Sequence, residues 1–221
     1  NVFFSYEENK NIISDLNLEI LKGERIGIIG KTGSGKTTIS DLLMGLLKPS
    51  RGTIYVDGID IYDPNYPARI KKWMRTISHV PQSIFLTDGS IAENIAFGIN
   101  KNHISLKKVK EAAKKAQIDD FIESTIDGYL TKVGERGIRL SGGQRQRIGI
   151  ARALYQKKAF LIFDEATSAL DSETESAVMN SINALSRDLT FIVIAHRTST
   201  LNSCDRVIEI KNGKIIDTLK E

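Results

Sequence analysis

Continuous apolar runs alternate with helical repeats of apolar residues along much of the chain. Three runs have the length and composition of buried parallel strands, at residues 26–29, 159–163 and 191–195. Each is followed by apolar residues at helical spacing or by a polar residue that ends the strand. This succession predicts an α/β fold with a mostly parallel sheet.

Other strand-like segments are joined by short turns, which favours antiparallel pairing. Residues 53–56 and 59–61 flank Asp57-Gly58, and residues 207–210 and 214–217 flank Asn212-Gly213, both strong hairpin signals. At the start of the chain, residues 2–6 and 16–20 are strand-like, with a polar turn between them. We expect the strands near residues 53–61 to join those at the start in one antiparallel subdomain.

Helical patterns dominate residues 84–155, where strands nearly vanish. Short helices are predicted at 90–96, 105–116 and 119–125, and a longer one after Ser141. We interpret 84–155 as a helical subdomain inserted into an α/β core that consists of 1–83 and 156–221. The prediction is one domain over residues 1–221.

Residues 30–37, GKTGSGKT, match the phosphate-loop pattern G-x-x-x-x-G-K-[ST] in full, between a predicted strand and a predicted helix. Glycines allow backbone N–H groups to approach a polyphosphate, and the following helix directs its positive end toward it. The ammonium of Lys36 can reach phosphates, and the hydroxyl of Thr37 can ligate Mg²⁺. The alternative is a chance glycine-rich turn.

Polar residues follow three predicted strands of the sheet. Gln82 comes just after strand 76–80, Asp164-Glu165 end the run 159–163, and His196 follows the run 191–195. Ligands bind beyond the carboxyl ends of parallel strands, so these side chains are expected in one crevice. There, Asp164 would hold a metal and Glu165 would accept a proton from water. A purely structural cap is the alternative for this acidic pair.

A second anion site is predicted where the sequence Leu140-Ser141-Gly142-Gly143-Gln144 opens a helix. Ser141 is a good N-cap, and the glycines leave N–H groups exposed at the positive end of the helix. One nucleotide does not need two such sites, so two chains sharing two nucleotides are indicated. Residues 172–175, SETE, are predicted to form a capping box for the next helix.

Composition adds few constraints to this picture. Of 221 residues, 41% are hydrophobic and 26% are charged, which is ordinary for a soluble globular protein. The net charge of +4 gives no reason to expect nucleic acid as a partner. The one cysteine, Cys204, cannot form an internal disulfide, which fits a reducing compartment and a core position. The chain opens on Asn1 inside a predicted strand, so we expect a fragment of a longer polypeptide.

Over nearly its whole length the chain resembles the ATP-binding cassette family. Residues 30–37 resemble its Walker A motif, 140–144 its signature, 160–165 its Walker B motif with the catalytic glutamate, and 168–171 its D-loop. Gln82 and His196 resemble the Q-loop glutamine and the switch histidine. From its local sequence Tyr6 could be a strand aromatic or a platform for a nucleotide base, and the resemblance favours the platform.

The resemblance implies a P-loop NTPase core, with ATP and Mg²⁺ as cofactors. It implies Glu165, His196 and Gln82 as catalytic residues and Thr37, Gln82 and Asp164 as metal ligands. The nucleotide-binding residues that it implies are Tyr6, Gly30, Lys31, Thr32, Gly33, Ser34, Gly35, Lys36, Thr37, Thr38, Gln82, Ser141, Gly142, Gly143, Gln144, Asp171 and His196.

Within the family the chain is similar to the exporter type. Residues 93–98, ENIAFG, are similar to the exporter helical subdomain, and 131–137, TKVGERG, to the loop before the signature. That loop usually has an acid second, where this chain has Lys132, which affects the expected contact with a membrane domain. The resemblance implies a head-to-tail dimer closed by ATP, with a transmembrane domain N-terminal in the same polypeptide. The location implied is the cytoplasmic face of a plasma or inner membrane.

Two other functions compete with export. A soluble cassette ATPase acting on DNA or ribosomes is the first, but the compact block between Lys36 and Ser141 has no room for the long coiled coil of DNA-repair relatives. A second cassette in the same gene would support this alternative. A degenerate regulatory cassette is the second, and it would lack Glu165 or His196, which are both present.

Overall fold

The computed structural model of the chain describes residues 1–7, 10–185, 189–195, 201 and 204–219. These residues form two compact units. The first consists of Asn1–Ile77, Ala159–Asp164 and the described residues from 189 onward, and the second of Ser78–Lys158 and residues 165–185. Within the described ranges, no helix combines the length and the hydrophobicity that crossing a membrane requires.

The helices and strands follow the predicted order closely. In chain order they are β1 (Val2–Ser5), β2 (Asn11–Leu16), β3 (Arg25–Ile29), α1 (Lys36–Met44), β4 (Tyr55–Val56), β5 (Ile59–Asp60), α2 (Ala68–Met74), β6 (Ile77–Val80), α3 (Ile91–Ile95), α4 (Leu106–Lys115), α5 (Asp119–Ser124), α6 (Gly142–Tyr155), β7 (Phe160–Asp164), α7 (Ser172–Asn183), β8 (Thr190–Ile194), β9 (Arg206–Lys211) and β10 (Lys214–Leu219).

A mostly parallel sheet forms the centre of the first unit, as the apolar runs predict. Strand β3 lies between β8 and β9 and is parallel to both, and β7 is parallel to β8. Strand β10 pairs antiparallel with β9. Every residue of β7 and β8 is buried, and the rings of Phe163 and Phe191 meet edge to face with their centroids 5.0 Å apart. The α/β fold class is therefore confirmed.

Both predicted hairpin turns are confirmed. Asp57 and Gly58 have φ of 51° and 74°, and Asn212 and Gly213 have φ of 51° and 72°. Two consecutive positive φ angles match the right-handed twist of the flanking strands, which is why Asp-Gly and Asn-Gly are favoured there. Cys204 is buried, as expected for a core thiol.

Two predictions about the antiparallel strands are wrong. The second strand is Asn11–Leu16 rather than 16–20, because the ladder pairs Ser5 with Asn11 and Val2 with Leu16. In addition, β1–β2 and β4–β5 form two separate ladders rather than one sheet. An isolated bridge between Phe3 and Arg51 pairs the first strand with the chain leading to β4.

The second unit is helical around α6. Its buried side chains include Ile148 on α6, Val109 on α4 and Ile95 on α3, each with no exposed surface. Arg152 near the end of α6 donates to the backbone oxygens of Asn94 and Phe85, at 2.9 and 3.0 Å. These bonds fasten the chain after Gln82 to α6. The lysines of α4 at 107, 108, 114 and 115 are exposed.

Candidate functional site

The phosphate loop connects β3 to α1 at the edge of the sheet formed by the carboxyl ends of its parallel strands. Its first residue, Gly30, has φ of 154°, and a Cβ there would lie 2.4 Å from the backbone oxygen of Ile210 and 2.6 Å from Oγ of Ser34. Both distances are well below any permitted contact. A residue larger than glycine would therefore displace the loop from the neighbouring strand β9.

The turn of the β9–β10 hairpin is hydrogen-bonded to this loop. The backbone N–H of Gly213 donates to the carbonyl of Ser34 at 3.0 Å, and the carbonyl of Gly213 accepts from Ser14 at 3.1 Å. A Cβ on Gly213 would lie 1.9 Å from the backbone oxygen of Ile12. From the sequence, Gly213 is only a turn residue, and no local signal indicates that it supports the phosphate loop.

Lys36 carries positive charge directly over the loop. Its side chain is 6% exposed, and its Nζ donates to the backbone oxygens of Gly30 at 2.9 Å and Lys31 at 3.2 Å. The amides in the first turn of α1 have no partner within the helix, as in any α-helix. Oγ of Ser34 is buried and has no hydrogen-bond partner among the described residues. This arrangement fits a bound polyphosphate, because positive charge and unused donors converge on one loop.

Asp164 ends β7 at the same edge of the sheet. It pairs with Ile194 of β8, and Ile194 in turn pairs with Ile28 of β3. Asp164 is therefore level with Ile28, two positions before Gly30, and strand β8 lies between them. Thr37, in the first turn of α1, is exposed. The predicted switch histidine, His196, lies outside the described residues.

Tyr6 stands beside the helix that follows the phosphate loop. Its ring is 61% exposed and meets Phe4 edge to face, with the centroids 4.8 Å apart. Its hydroxyl lies 3.4 Å from Oγ1 of Thr38. The contact with Phe4 orients the ring, most of which stays exposed. This geometry suits a stacking platform better than a core aromatic, which would be buried.

In the second unit, Gln82 and Glu165 are in direct contact. Gln82 Nε2 donates to Oε2 of Glu165 at 2.8 Å. Glu165 has φ of 51°, in the left-handed region that residues with a Cβ rarely occupy. Such strain is typical of functional sites, where the surrounding structure holds the residue in place. The sequence gives no indication of this conformation.

Ser141 is the N-cap of α6, as predicted. Its Oγ accepts from the N–H of Gln144 at 3.2 Å, and Oε1 of Gln144 accepts from the N–H of Ser141 at 2.8 Å. This reciprocal capping box fixes the start of a helix of 14 residues. The Ser141 side chain is exposed, so the capped helix end faces solvent in this chain.

The second signature glycine has a packing role that the sequence does not indicate. A Cβ on Gly143 would lie 3.2 Å from the backbone oxygen of Ala169, tighter than nearly all real contacts. On Gly142 it would lie 3.6 Å from Cβ of Ala169, an ordinary contact. Gly143 thus lets the start of α6 approach the loop that follows Glu165.

The predicted capping box over residues 172–175 is wrong by one position. Asp171 is the N-cap of α7, and its two carboxylate oxygens accept from the N–H and the hydroxyl of Thr174, at 2.9 and 2.8 Å. The backbone hydrogen bond from Thr174 is the main cause that lowers the pKa of Asp171. Oε1 of Glu175 accepts from the hydroxyl of Thr167 at 2.6 Å.

Lys132, the departure from the exporter pattern, lies beside an acidic side chain. Its Nζ is 3.8 Å from Oε2 of Glu93, whose Oε1 pairs with Lys101 at 2.5 Å. The hydrogen bond from Lys101 is the main cause that lowers the pKa of Glu93 to about 2.

Among the residues that the structure describes, no three His, Cys, Asp or Glu side chains gather as metal ligands.

Comparisons with known proteins agree on one family. The family model described as "ABC transporter" matches residues 13–168. ABC transporter B family member 29, chloroplastic, of Arabidopsis thaliana is 44% identical over 215 residues, 97% of this chain and 33% of that protein. Alpha-hemolysin translocation ATP-binding protein HlyB of Escherichia coli is 43% identical over 221 residues, 98% of this chain and 30% of that protein.

A solved structure agrees as well. A bacterial Atm1-family ABC exporter with ATP bound superposes with a TM-score of 0.91 at 38% identity, over 99% of this chain and 38% of that chain. The chain spans about a third of the length of the curated relatives that it matches. With the phosphate loop, the capped α6 and the acidic end of β7 in the family's order, this chain belongs to the ABC transporter family.

Proposed function

We propose that residues 1–221 form one ATP-hydrolysing domain that powers export across a membrane as part of an ABC transporter. The phosphate loop carries the proposal. Its backbone is held by β9 and by Gly213, and the ammonium of Lys36 lies over it. Positive charge and helix-end amides on a braced loop favour the binding of a polyphosphate.

The residues around the phosphate loop and the proposed metal ligands take simple roles in this proposal. Residues 30–38 hold the phosphates, with Lys36 closest to the terminal ones, and Tyr6 stacks on the base. Thr37, Asp164 and Gln82 are the proposed ligands of Mg²⁺, which binds ATP sites through few protein ligands plus phosphate oxygens. Bound Mg²⁺ would neutralise the charge that develops on the phosphates. Gln82 uses its nitrogen on Glu165, and its Oε1 is an oxygen of the type that Mg²⁺ prefers.

The second unit supplies the proposed general base. Glu165 is proposed to take a proton from water at Oε1 or Oε2, and the hydrogen bond donated by Gln82 supports this role by orienting its carboxylate. His196 is proposed as a second catalytic residue. The exposed start of α6 and the D-loop are proposed to serve the nucleotide of a second chain, head to tail. The residues on this surface are Ser141, Gly142, Gly143, Gln144 and Asp171.

Export is supported by the names of the relatives and by residues 93–98 and 131–137. The relatives include a translocation ATP-binding protein and an exporter bound to ATP. We propose that a transmembrane domain precedes this chain in the same polypeptide, and that the chain works at the cytoplasmic face of the membrane. Sequencing the gene on both sides of the segment tests this. Apolar spans upstream support export, and a second cassette with no spans supports the soluble alternative.

The enzymatic proposal is tested by phosphate release from the purified 221-residue chain. We expect steady-state hydrolysis of ATP that requires Mg²⁺ and stops when EDTA is added. Hydrolysis that is unaffected by EDTA would point to a contaminating activity. The proposed site is shared by two chains, so activity should appear once the protein concentration is high enough for dimers to form. An absence of hydrolysis at every protein concentration would therefore contradict the proposal.

Tyr6→Ala should weaken ATP binding without abolishing it. Stacking of a base on an aromatic ring is worth about 1–3 kcal/mol in single-strand binding proteins, a scale that we apply here. We expect the Kd from calorimetry to rise roughly tenfold, since 1.4 kcal/mol is a factor of ten. GTP should compete measurably with ATP in the unmodified chain, because every base offers a π-face.

Tyr55→Ala is the matched control for this variant. Tyr55 is a similarly exposed tyrosine of the first unit, at 64% against 61% for Tyr6, and it lies on β4. Its removal should leave ATP affinity unchanged. Equal affinities in the Tyr6→Ala and Tyr55→Ala variants would return Tyr6 to the role of a strand aromatic.

A further inference from the structure

We infer that Gln146 is a positioning residue that fixes the loop of residues 165–171, and through that loop Glu165, by the two hydrogen bonds of its carboxamide. The inference rests on the proposed function, because it assumes that Glu165 is the general base. It adds to the site a residue that would touch neither the nucleotide nor the attacking water.

The carboxamide of Gln146 contacts two consecutive residues of this loop. Gln146 lies in the second turn of α6 and is 4% exposed. Its Oε1 accepts from the backbone N–H of Ala169 at 2.9 Å, and its Nε2 donates to Oγ of Ser168 at 3.2 Å. A carboxamide offers both an acceptor and donors on one planar group, whereas an aliphatic side chain offers neither.

Contacts inside the loop connect Ser168 to Glu165. The N–H of Ser168 donates to the carbonyl of Glu165 at 3.1 Å, and the N–H of Leu170 donates to the carbonyl of Thr167 at 2.9 Å. The loop is thus two overlapping turns rather than an open strand. A shift of Ser168 away from α6 would move the peptide of Glu165 with it.

Glu165 needs such support because its backbone is strained. A φ of 51° is energetically unfavourable for a residue with a Cβ. Such a conformation persists only where the surrounding contacts hold it in place. Three contacts hold the 165–171 loop from different sides. Gln146 holds its middle, the buried Thr167–Glu175 hydrogen bond holds it against α7, and Gln82 holds the Glu165 carboxylate. Gly143 permits the close approach of α6 that the Gln146 contacts require.

The test compares Gln146→Leu with Asn94→Leu in the 221-residue chain. Asn94 is also a buried carboxamide of the second unit, 0% exposed, and it bonds to Thr87 and Ser90 rather than to the 165–171 loop. Both changes remove a buried amide, and Asn94→Leu removes more hydrogen bonds, one of them from Arg152, so it is the stricter control for structural cost. We expect kcat for ATP hydrolysis to fall roughly tenfold to a hundredfold in Gln146→Leu, as for a slightly misplaced catalytic group, with KM nearly unchanged.

Two further variants separate positioning from folding. Gln146→Glu keeps two oxygens, which can accept from the Ala169 N–H and from the Ser168 hydroxyl, so it should restore most of kcat. Ser168→Ala removes one of the two bonds at an exposed position, where the fold is not at risk, and should lower kcat by a smaller factor. All variants are measured well below the unfolding midpoint of each.

Hydrogen exchange gives a readout that does not depend on ATP hydrolysis. The amide of Ala169 should lose protection in Gln146→Leu and keep it in Asn94→Leu. Unchanged protection would overturn the inference even if the chain proved to have no ATPase activity, which would instead contradict the proposed function. Lost protection with unchanged kcat, or an equal fall of kcat in Asn94→Leu, would also overturn it.

Discussion

Glu165→Gln is expected to bind MgATP with nearly unchanged affinity and to hydrolyse it roughly 10²–10⁴-fold more slowly, the usual cost of losing a general base. The carboxylate accepts from Gln82 Nε2 at 2.8 Å, and the amide oxygen of a glutamine can accept the same bond. The geometry of the site is therefore retained. What is lost is the capacity to take the proton of the attacking water.

Phosphate release under saturating MgATP measures this effect, and calorimetry measures the affinity. Glu173→Gln is the control, because Glu173 is an exposed glutamate in the first turn of α7 and is not one of the proposed site residues. It should hydrolyse ATP at the unmodified rate. A Glu165→Gln variant with near-normal turnover would remove Glu165 from its proposed role.

The oligomeric state of the chain is expected to change when nucleotide binds. With Glu165→Gln to block turnover, the chain should be monomeric without nucleotide and dimeric with MgATP, and MgADP should not sustain the dimer. A ligand that binds only the closed state stabilises it by about 2.7 kcal/mol at a hundredfold excess over Kd. Adding Ser141→Arg should abolish the dimer while each monomer still binds ATP, because α6 serves the nucleotide of the partner.

Light scattering in the three nucleotide states measures this prediction. Ser105→Arg in the same background is the matched control, since Ser105 is likewise an N-cap serine of the second unit, at the start of α4. It should lose a comparable cap and still dimerise. A dimer of equal strength in all three states, or a monomer in all three at high concentration, would contradict the head-to-tail arrangement.

Residues whose role depends on neighbouring positions in the sequence could be predicted. Residues whose role depends on contacts with positions far away in the sequence could not. The phosphate loop, the acidic end of β7 and the cap at Ser141 each depend on neighbours within a few positions. Gln146 meets Ala169 across 23 positions, and Gly213 meets Ser34 across far more, so no local pattern indicates either contact. The cap of α7 fell on Asp171 rather than Ser172 because both residue types cap well and only the packed loop decides between them.

The left-handed backbone of Glu165 has a consequence for protein engineering. Glycine at this position would relieve a cost of about 1–2 kcal/mol that a residue with a Cβ pays there. Calorimetry of a Glu165→Gly variant should therefore show a midpoint about 2–8 °C higher, because each kcal/mol shifts the midpoint of a chain of this size by about 2–4 °C. A library selected only for heat resistance would enrich inactive chains at position 165, so thermostabilisation of this domain requires a parallel screen for turnover.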